Sequence, residues 1–227
     1  MSDLRLSRFE VIPPVVKNLI IINVLFFIAQ YVFSGYNLTG RLALYPIMFE
    51  QFKPYQIFTH MFSHGGIPHI IFNMFSLWMF GSVIENYWKS KRFLVFYIVC
   101  GLGSAALHMV IQYIRYEQVL HAISQNDISS AKAIMKELGP MLGASGAVMG
   151  ILAAFGYLFP NRELFIIPIP FPIKAKWVVL SLIAIDLFGG IANIEGDNIA
   201  HFAHLGGAIT GLAWVIIWNK TNRRTFY

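Results

Sequence analysis

Four side chains in this sequence have the types and spacing for acyl-transfer chemistry. Ser145 opens a long apolar stretch within "GASG" (143–146), and His204 lies in "AHLGGAITG" (203–211). His69 and Asn73 stand four residues apart in "PHIIFN" (68–73), on one face of a helix. A serine hydroxyl is a poor nucleophile until an adjacent base takes its proton, and histidine is the commonest such base. The tetrahedral intermediate then formed needs hydrogen-bond donors aimed at its oxyanion. A helix that starts at Ser145 offers unpaired backbone N–H groups and the positive end of its dipole there. His69 and Asn73 add side-chain donors. Each group alone also has a plainer reading. A His–Asn pair at this spacing serves as hydrogen-bonding glue between helices, and the Gly146–Gly150 spacing is an ordinary packing device in membranes.

The elements that must position these residues follow from composition. The 227 residues are 57% hydrophobic and only 12% charged, against about a quarter charged in a soluble domain. A single core of this size cannot hide so much apolar surface from water, so the solvent for most of the chain is lipid. Six apolar stretches approach the length of about 20 residues that a spanning helix needs. They lie at about 16–34, 67–87, 93–114, 142–159, 174–190 and 200–218. The first has no small-residue cleavage site after it and is expected to be a retained anchor rather than a signal peptide. With no repeat and no low-complexity tract, residues 1–227 are expected to form one integral membrane domain, all-α and polytopic. Cys100 is the only cysteine, which excludes an intrachain disulfide and a cysteine-based metal site.

Lys and Arg set the expected orientation. With a cytoplasmic N-terminus, 12 of the 17 fall on inner segments. These are Arg5, Arg8, Lys17, Lys89, Lys91, Arg92, Arg162, Lys174, Lys176, Lys220, Arg223 and Arg224. Arg41, Lys53, Arg115, Lys132 and Lys136 fall outside, and the outer loop "IANIEGDN" (191–198) has no basic residue. Both termini are therefore expected in the cytoplasm. The net charge of +6 then reflects membrane topology and calls for no nucleic acid.

This topology puts His69 and Asn73, Ser145, and His201 and His204 each near the outer end of its own helix. Polar side chains at membrane depth face one another or a water-filled cavity, and three separate segments agree on the depth. His204, Gly207 and Gly211 fall at i, i+3 and i+7, one stripe of the sixth helix. If that stripe packs on the Gly146–Gly150 face of the fourth, His204 comes within reach of Ser145.

These motifs resemble the rhomboid intramembrane serine proteases. The likeness covers nearly the whole chain and rests on "HMFSHGGIPHIIFNMFSLWMFGSVIE" (60–85), "GASGAVMG" (143–150) and "AHLGGAITG" (203–211), which carry HxxxN, GxSG and AHxxGxxxG in order. The resemblance implies a six-helix bundle and a dyad, with Ser145 as nucleophile and His204 as general base and then acid. His69, Asn73 and the backbone N–H of Ser145 would form the oxyanion hole. Gly143, Gly146, Gly150, Gly207 and Gly211 would be helix-packing support. It further implies hydrolysis of peptide bonds in or near transmembrane helices of membrane-protein substrates, in a lipid bilayer and without a cofactor or metal. A bacterial cytoplasmic membrane is the expected location. The fifth helix and the loop before the sixth would gate lateral entry, and the first outer loop would lie partly in the membrane. Met149 stands where several members carry an aromatic residue against the histidine, and Tyr55 where tryptophan is frequent.

The remaining polar residues have structural readings. His201 is the competing base, but the AHxxG spacing selects His204. His60 and His64 are expected to hold the first outer loop by hydrogen bonds, and His108 to be buried and bonded. Asp186 would be a structural or gating residue, since the family works as a dyad. Glu85 would clamp a loop. Residues 115–138 form an outer connection, with helical spacing that suggests an interfacial or solvated helix acting as a spacer. Two other classes of function remain open: a catalytically inactive rhomboid-like binder of transmembrane segments, and a metal- or haem-binding membrane protein using the histidines. The first typically lacks the serine or histidine, and the second leaves the GASG motif and the glycine stripe unexplained.

Overall fold

Hydrocarbon offers no partner to a backbone N–H or C=O, so an apolar stretch placed in it must satisfy its hydrogen bonds internally as a helix. The computed structural model of the chain describes residues 9–166, 170–191 and 198–221. It begins with α1 (Pro14–Val32), and a long connection follows that contains α2 (Leu38–Leu42) and α3 (Gln56–Thr59). Next, α4 (Ile67–Ser76) and α5 (Ser82–Trp88) join through a wider π turn at Leu77–Gly81 into one helical stretch. After these come α6 (Ser90–Ser124), α7 (Ile128–Glu137) and α8 (Ser145–Leu158). A two-residue antiparallel pair, β1 (Glu163–Leu164) with β2 (Ile173–Lys174), leads to α9 (Ala175–Ile191) and α10 (Asn198–Thr221). Among the described residues four stretches are long and apolar enough to cross a membrane: Pro14–Val32, Ile67–Trp88, Ser90–Ser124 and His201–Thr221. The other two apolar helices, α8 and α9, have 14 and 17 residues. Large apolar side chains point outward, Phe72 and Phe188 each 72% exposed, as expected of surfaces solvated by lipid. Arg5, Arg8, Arg223, Arg224 and most of the "IANIEGDN" loop (192–197) lie outside the described residues.

Two boundaries differ from the sequence reading. The third apolar stretch was expected over 93–114, yet α6 runs 35 residues to Ser124. Residues 115–124 continue the helix because "RYEQVLHAIS" contains no glycine or proline to stop it. The stop comes at Asn126, with φ 56°, and Asp127, whose side chain accepts from the Ser130 N–H at 3.0 Å and so caps α7. An Arg115–Glu137 ion pair ties α7 back to α6. The expected spacer over 115–138 is thus one helix extended and a second folded beside it. The fourth helix starts at Ser145 rather than 142, since Gly143 has φ +122° and stands outside helical conformation.

Three helices meet through small residues. A Cβ on Gly207 would lie 1.8 Å from the carbonyl oxygen of Gly146, and one on Gly211 2.7 Å from Cα of Gly150. On the other side of α8, Cβ atoms at Gly146 and Gly150 would meet Ser104 Oγ at 2.1 Å and Cys100 Sγ at 2.3 Å, both on α6. Gly103 of α6 faces Thr210 of α10 as closely. Backbones of α6, α8 and α10 therefore pack against one another with almost nothing between them, the arrangement small residues permit in membranes. At the opposite end of the bundle the spacing is filled by aromatics: Trp88 lies edge-on to Phe96 and Trp218, with centroids 4.9 and 5.3 Å apart. Glu85 clamps that end, as its two carboxylate oxygens accept from the N–H groups of Val15 and Val16 at the start of α1 (2.9 and 2.8 Å), where a helix dipole favours negative charge.

Two tests follow from this packing. Gly207→Val should lower stability by about 3 kcal/mol or more, the upper range for overpacking, because backbone rather than a side-chain tip stands in the way. Gly35→Ala, with nothing within 4 Å of its Cβ, should leave the thermal midpoint in detergent unchanged. Equal midpoints for the two variants would show that the α8–α10 contact is not tight. Burial pushes the His60 ring from 6.5 down to about 4. It stays neutral in the folded chain and protonates in the unfolded one, so its contribution to stability falls as pH drops from 6.5 toward 4. The midpoint should decline over that window, and less steeply in His60→Gln; identical slopes would refute the assignment.

Candidate active site

The polar cluster sits at the end of the bundle where α4, α8 and α10 begin, and the connection between α1 and α4 covers it. Two glutamines hold that connection. Gln30 donates to the Thr39 and Ser63 hydroxyls and the His64 carbonyl (2.8, 3.0 and 3.2 Å), and accepts from the His64 N–H at 3.0 Å. Gln56 accepts from the N–H groups of Tyr45 and Lys53 and donates to the carbonyls of Arg41 and Gln51. Three backbone hydrogen bonds then stitch the connection to the segment that leads into α8. Leu44 and Met141 exchange a pair at 2.8 and 2.9 Å, and the Gly143 N–H donates to the His60 carbonyl at 2.9 Å. The sequence reading missed both glutamines; the signal available was a fully polar amide in an apolar frame.

Gly143 is where the chain turns into the site. With φ +122° it occupies backbone space that other residues avoid. The position a Cβ would take lies 2.7 Å from His69 Nε2 and 3.5 Å from Ser145 Oγ. The small residue before the serine therefore leaves an open point between the imidazole of α4 and the hydroxyl of α8. Ser145 is the first residue of α8, so its own N–H and those after it have no helical acceptor. The Gly65 N–H donates to His69 Nδ1 at 3.4 Å. An accepting Nδ1 in a neutral ring leaves the proton on Nε2, the nitrogen that faces Gly143 and Ser145. The Asn73 amide donates to the His69 carbonyl one turn back, at 2.9 Å; its second N–H is available.

His204 has the opposite arrangement. Its Nδ1 meets Asp186 Oδ1 of α9 at 3.0 Å. A carboxylate only accepts, so Nδ1 carries a proton, and in the neutral ring Nε2 keeps the lone pair that a base needs. The turn of α10 bearing His204 lies over the turn of α8 bearing Ser145, since Ala203 O is 3.6 Å from the Gly146 Cβ position and Gly207 touches Gly146. No hydrogen bond joins Ser145 to His204 among the described residues; such bonds are often long until substrate binds. His201 makes the same contact as His204, its Nδ1 2.9 Å from Asp186 Oδ1. The expected structural aspartate thus binds both candidate bases through a single oxygen.

Other expectations are corrected or refined. His108 is buried as expected, but neither ring nitrogen has a partner among the described residues, nor does the side-chain amide of Gln112 one turn on. Both are buried on α6. His60 holds its loop as expected, with Nδ1 donating to the Gln56 carbonyl at 3.0 Å. His64 does so through its backbone and Gln30, while its ring lies edge-on to that of His69 at 5.2 Å. Met149 is buried in the main core.

A bundle of membrane-length apolar helices with a serine and two histidines gathered at one end is a multi-pass membrane protein with a recessed polar site. The Rhomboid domain family matches residues 51–220, and the chain belongs to that family. Similar proteins include the presenilin-associated rhomboid-like protein, mitochondrial, of Bos taurus, 33% identical over 165 residues, 70% of this chain and 38% of the relative. RHOMBOID-like protein 12, mitochondrial, of Arabidopsis thaliana is 30% identical over 208 residues, 89% and 58% of the two chains. Rhomboid protease AarA of Providencia stuartii is 28% identical over 194 residues, 81% and 60%. The matched region thus spans 38% to 60% of the length of these relatives.

The glycine stripe distinguishes the two histidines. On the reading of His204 as the base of an enzyme, His204→Ala should lower turnover of a membrane substrate by roughly 10³-fold or more, whereas His201→Ala should keep a tenth or more. The reverse ranking would assign the base to His201.

Proposed function

We propose that this protein is an intramembrane serine endopeptidase that cleaves peptide bonds in or near the transmembrane helices of membrane proteins. The contact between Gly146 and Gly207 carries the reading, because it stacks the turn of His204 on the turn of Ser145. Ser145 Oγ attacks the scissile carbonyl carbon as His204 Nε2 takes the hydroxyl proton. The resulting oxyanion accepts from the Ser145 backbone N–H, His69 Nε2–H and the free N–H of Asn73. Collapse of this intermediate breaks the C–N bond, and His204 returns its proton to the departing amine. Water then hydrolyses the acyl-enzyme with His204 again as base. The opposite tautomers of His69 and His204 support these roles, one ring offering a proton and the other a lone pair.

In this reading six helices cross the membrane, α8 and α9 included, with both termini cytoplasmic and the site just below the outer face. The distribution of Lys and Arg supports that orientation. A bacterial cytoplasmic membrane is the proposed location; similarity to Rhomboid protease AarA of Providencia stuartii supports it, and a mitochondrial membrane is the alternative that the other relatives suggest. The test uses the purified protein in detergent with a fluorophosphonate probe and a model transmembrane substrate. Labelling and cleavage should both occur, both should vanish in Ser145→Ala, and a chelator should change neither. Folded protein that neither labels nor cleaves would make it a binder of transmembrane segments, and chelator-sensitive activity would point to a metal site.

A further inference from the structure

A buried carboxylate on α9 is the feature that the two-residue mechanism leaves unused. Asp186 is buried in an apolar helix, where an unpaired charge is costly and a carboxylate is retained only with partners. Its Oδ1 accepts from two imidazoles at once, His204 Nδ1 at 3.0 Å and His201 Nδ1 at 2.9 Å. Two glycines of α9 leave room for rings of α10: a Cβ on Gly189 would fall 2.4 Å from His201 Nε2, and one on Gly190 3.0 Å from the Phe202 ring. The neighbouring helix thus approaches α10 closely at His201 and Phe202, the turn that precedes His204.

We infer that Asp186 is a positioning residue for His204, acting on the Ser145–His204 pair through the imidazole. The inference rests on the protease reading for its kinetic consequence, but not for its geometry. A neutral imidazole exchanges freely between two tautomers, and only the one with hydrogen on Nδ1 presents a lone pair from Nε2. The Asp186 carboxylate selects that form because it accepts and cannot donate. When Ser145 gives up its proton, His204 becomes an imidazolium with the carboxylate already in place as counter-charge, and Asp186 itself stays ionised. His201 donates a second hydrogen bond to the same oxygen. It thereby fixes the direction of the carboxylate and leaves the dyad residues unaltered.

The experiment has two arms. In the first, kcat and KM are measured for Asp186→Leu, which keeps an apolar helix face but has no acceptor. The expected result is a fall in kcat of roughly 10²-fold or more, by analogy with loss of the aspartate from a serine protease triad, with KM changed less than about threefold. Should that variant fail to fold, Asp186→Asn retains an oxygen without the charge and should still lose at least about tenfold in kcat. In the second arm the histidines are labelled with nitrogen-15 in Ser145→Ala protein, and the His204 signals are identified by their loss in His204→Ala. The neutral ring should show a protonated Nδ1 and an unprotonated Nε2, and Asp186→Leu should reverse the pattern. Wild-type kcat in the folded Leu variant, or a His204 tautomer indifferent to position 186, overturns the inference. A wild-type protein without turnover overturns the protease reading instead, while the tautomer measurement still decides what Asp186 does.

Discussion

Close backbone contact among α6, α8 and α10 is the constraint on which the rest depends. Lipid chains are as apolar as leucine, so burial from water gives helices in a membrane little reason to associate; packing and hydrogen bonds must hold them. Here the packing depends on what is missing. Gly146 and Gly150 on α8, Gly103 on α6, and Gly206, Gly207 and Gly211 on α10 let main chain meet main chain, and only the short side chains of Ser104 and Cys100 stand between α6 and α8. At the far end the rings of Trp88, Phe96 and Trp218 pack edge-on between α5, α6 and α10. The closest backbone approach, Gly207 on Gly146, lies within one turn of Ser145 and His204.

That tightness makes polar chemistry possible at depth. Each polar side chain placed there needs a partner, and the partner fixes its protonation. Gly65 supplies an N–H to His69, and Asp186 supplies an oxygen to His204. Two histidines of the same kind therefore carry the proton of the neutral ring on different nitrogens, His69 on Nε2 beside Gly143 and His204 on Nδ1 beside Asp186. The long connection between α1 and α4 contributes by immobilisation. Gln30 and Gln56 fasten it internally, and three backbone hydrogen bonds attach it to the segment before α8. The turn at Gly143 is in this way held from outside the helix that it begins.

Membership of the rhomboid family and the geometry at Ser145 come from separate sources and bear on different matters. The family match covers residues 51–220 and accounts for the order of the motifs. It says nothing of which way an imidazole turns. Asp186 illustrates the gap: a lone acidic residue in a span is conspicuous in any sequence, but whether it braces a helix or orients a base depends on the face of α9 it occupies.

Sequence alone determined the membrane habit of this chain, because 57% hydrophobic residues leave no aqueous fold to choose. It also determined the glycine stripe, since the 3.6-residue period of a helix lines up His204, Gly207 and Gly211 in any environment. Helix ends were legible only where a residue forbids helix, so α6 ran past the expected stop to the first left-handed residue, Asn126. Only the tertiary structure decided the partners. The two oxygens of Glu85, the double acceptance at Asp186 and the His108 ring, unpartnered among the described residues, depend on what other helices bring alongside. Spacing along one helix fixes a direction in space; distances between helices come from the packing of all of them together.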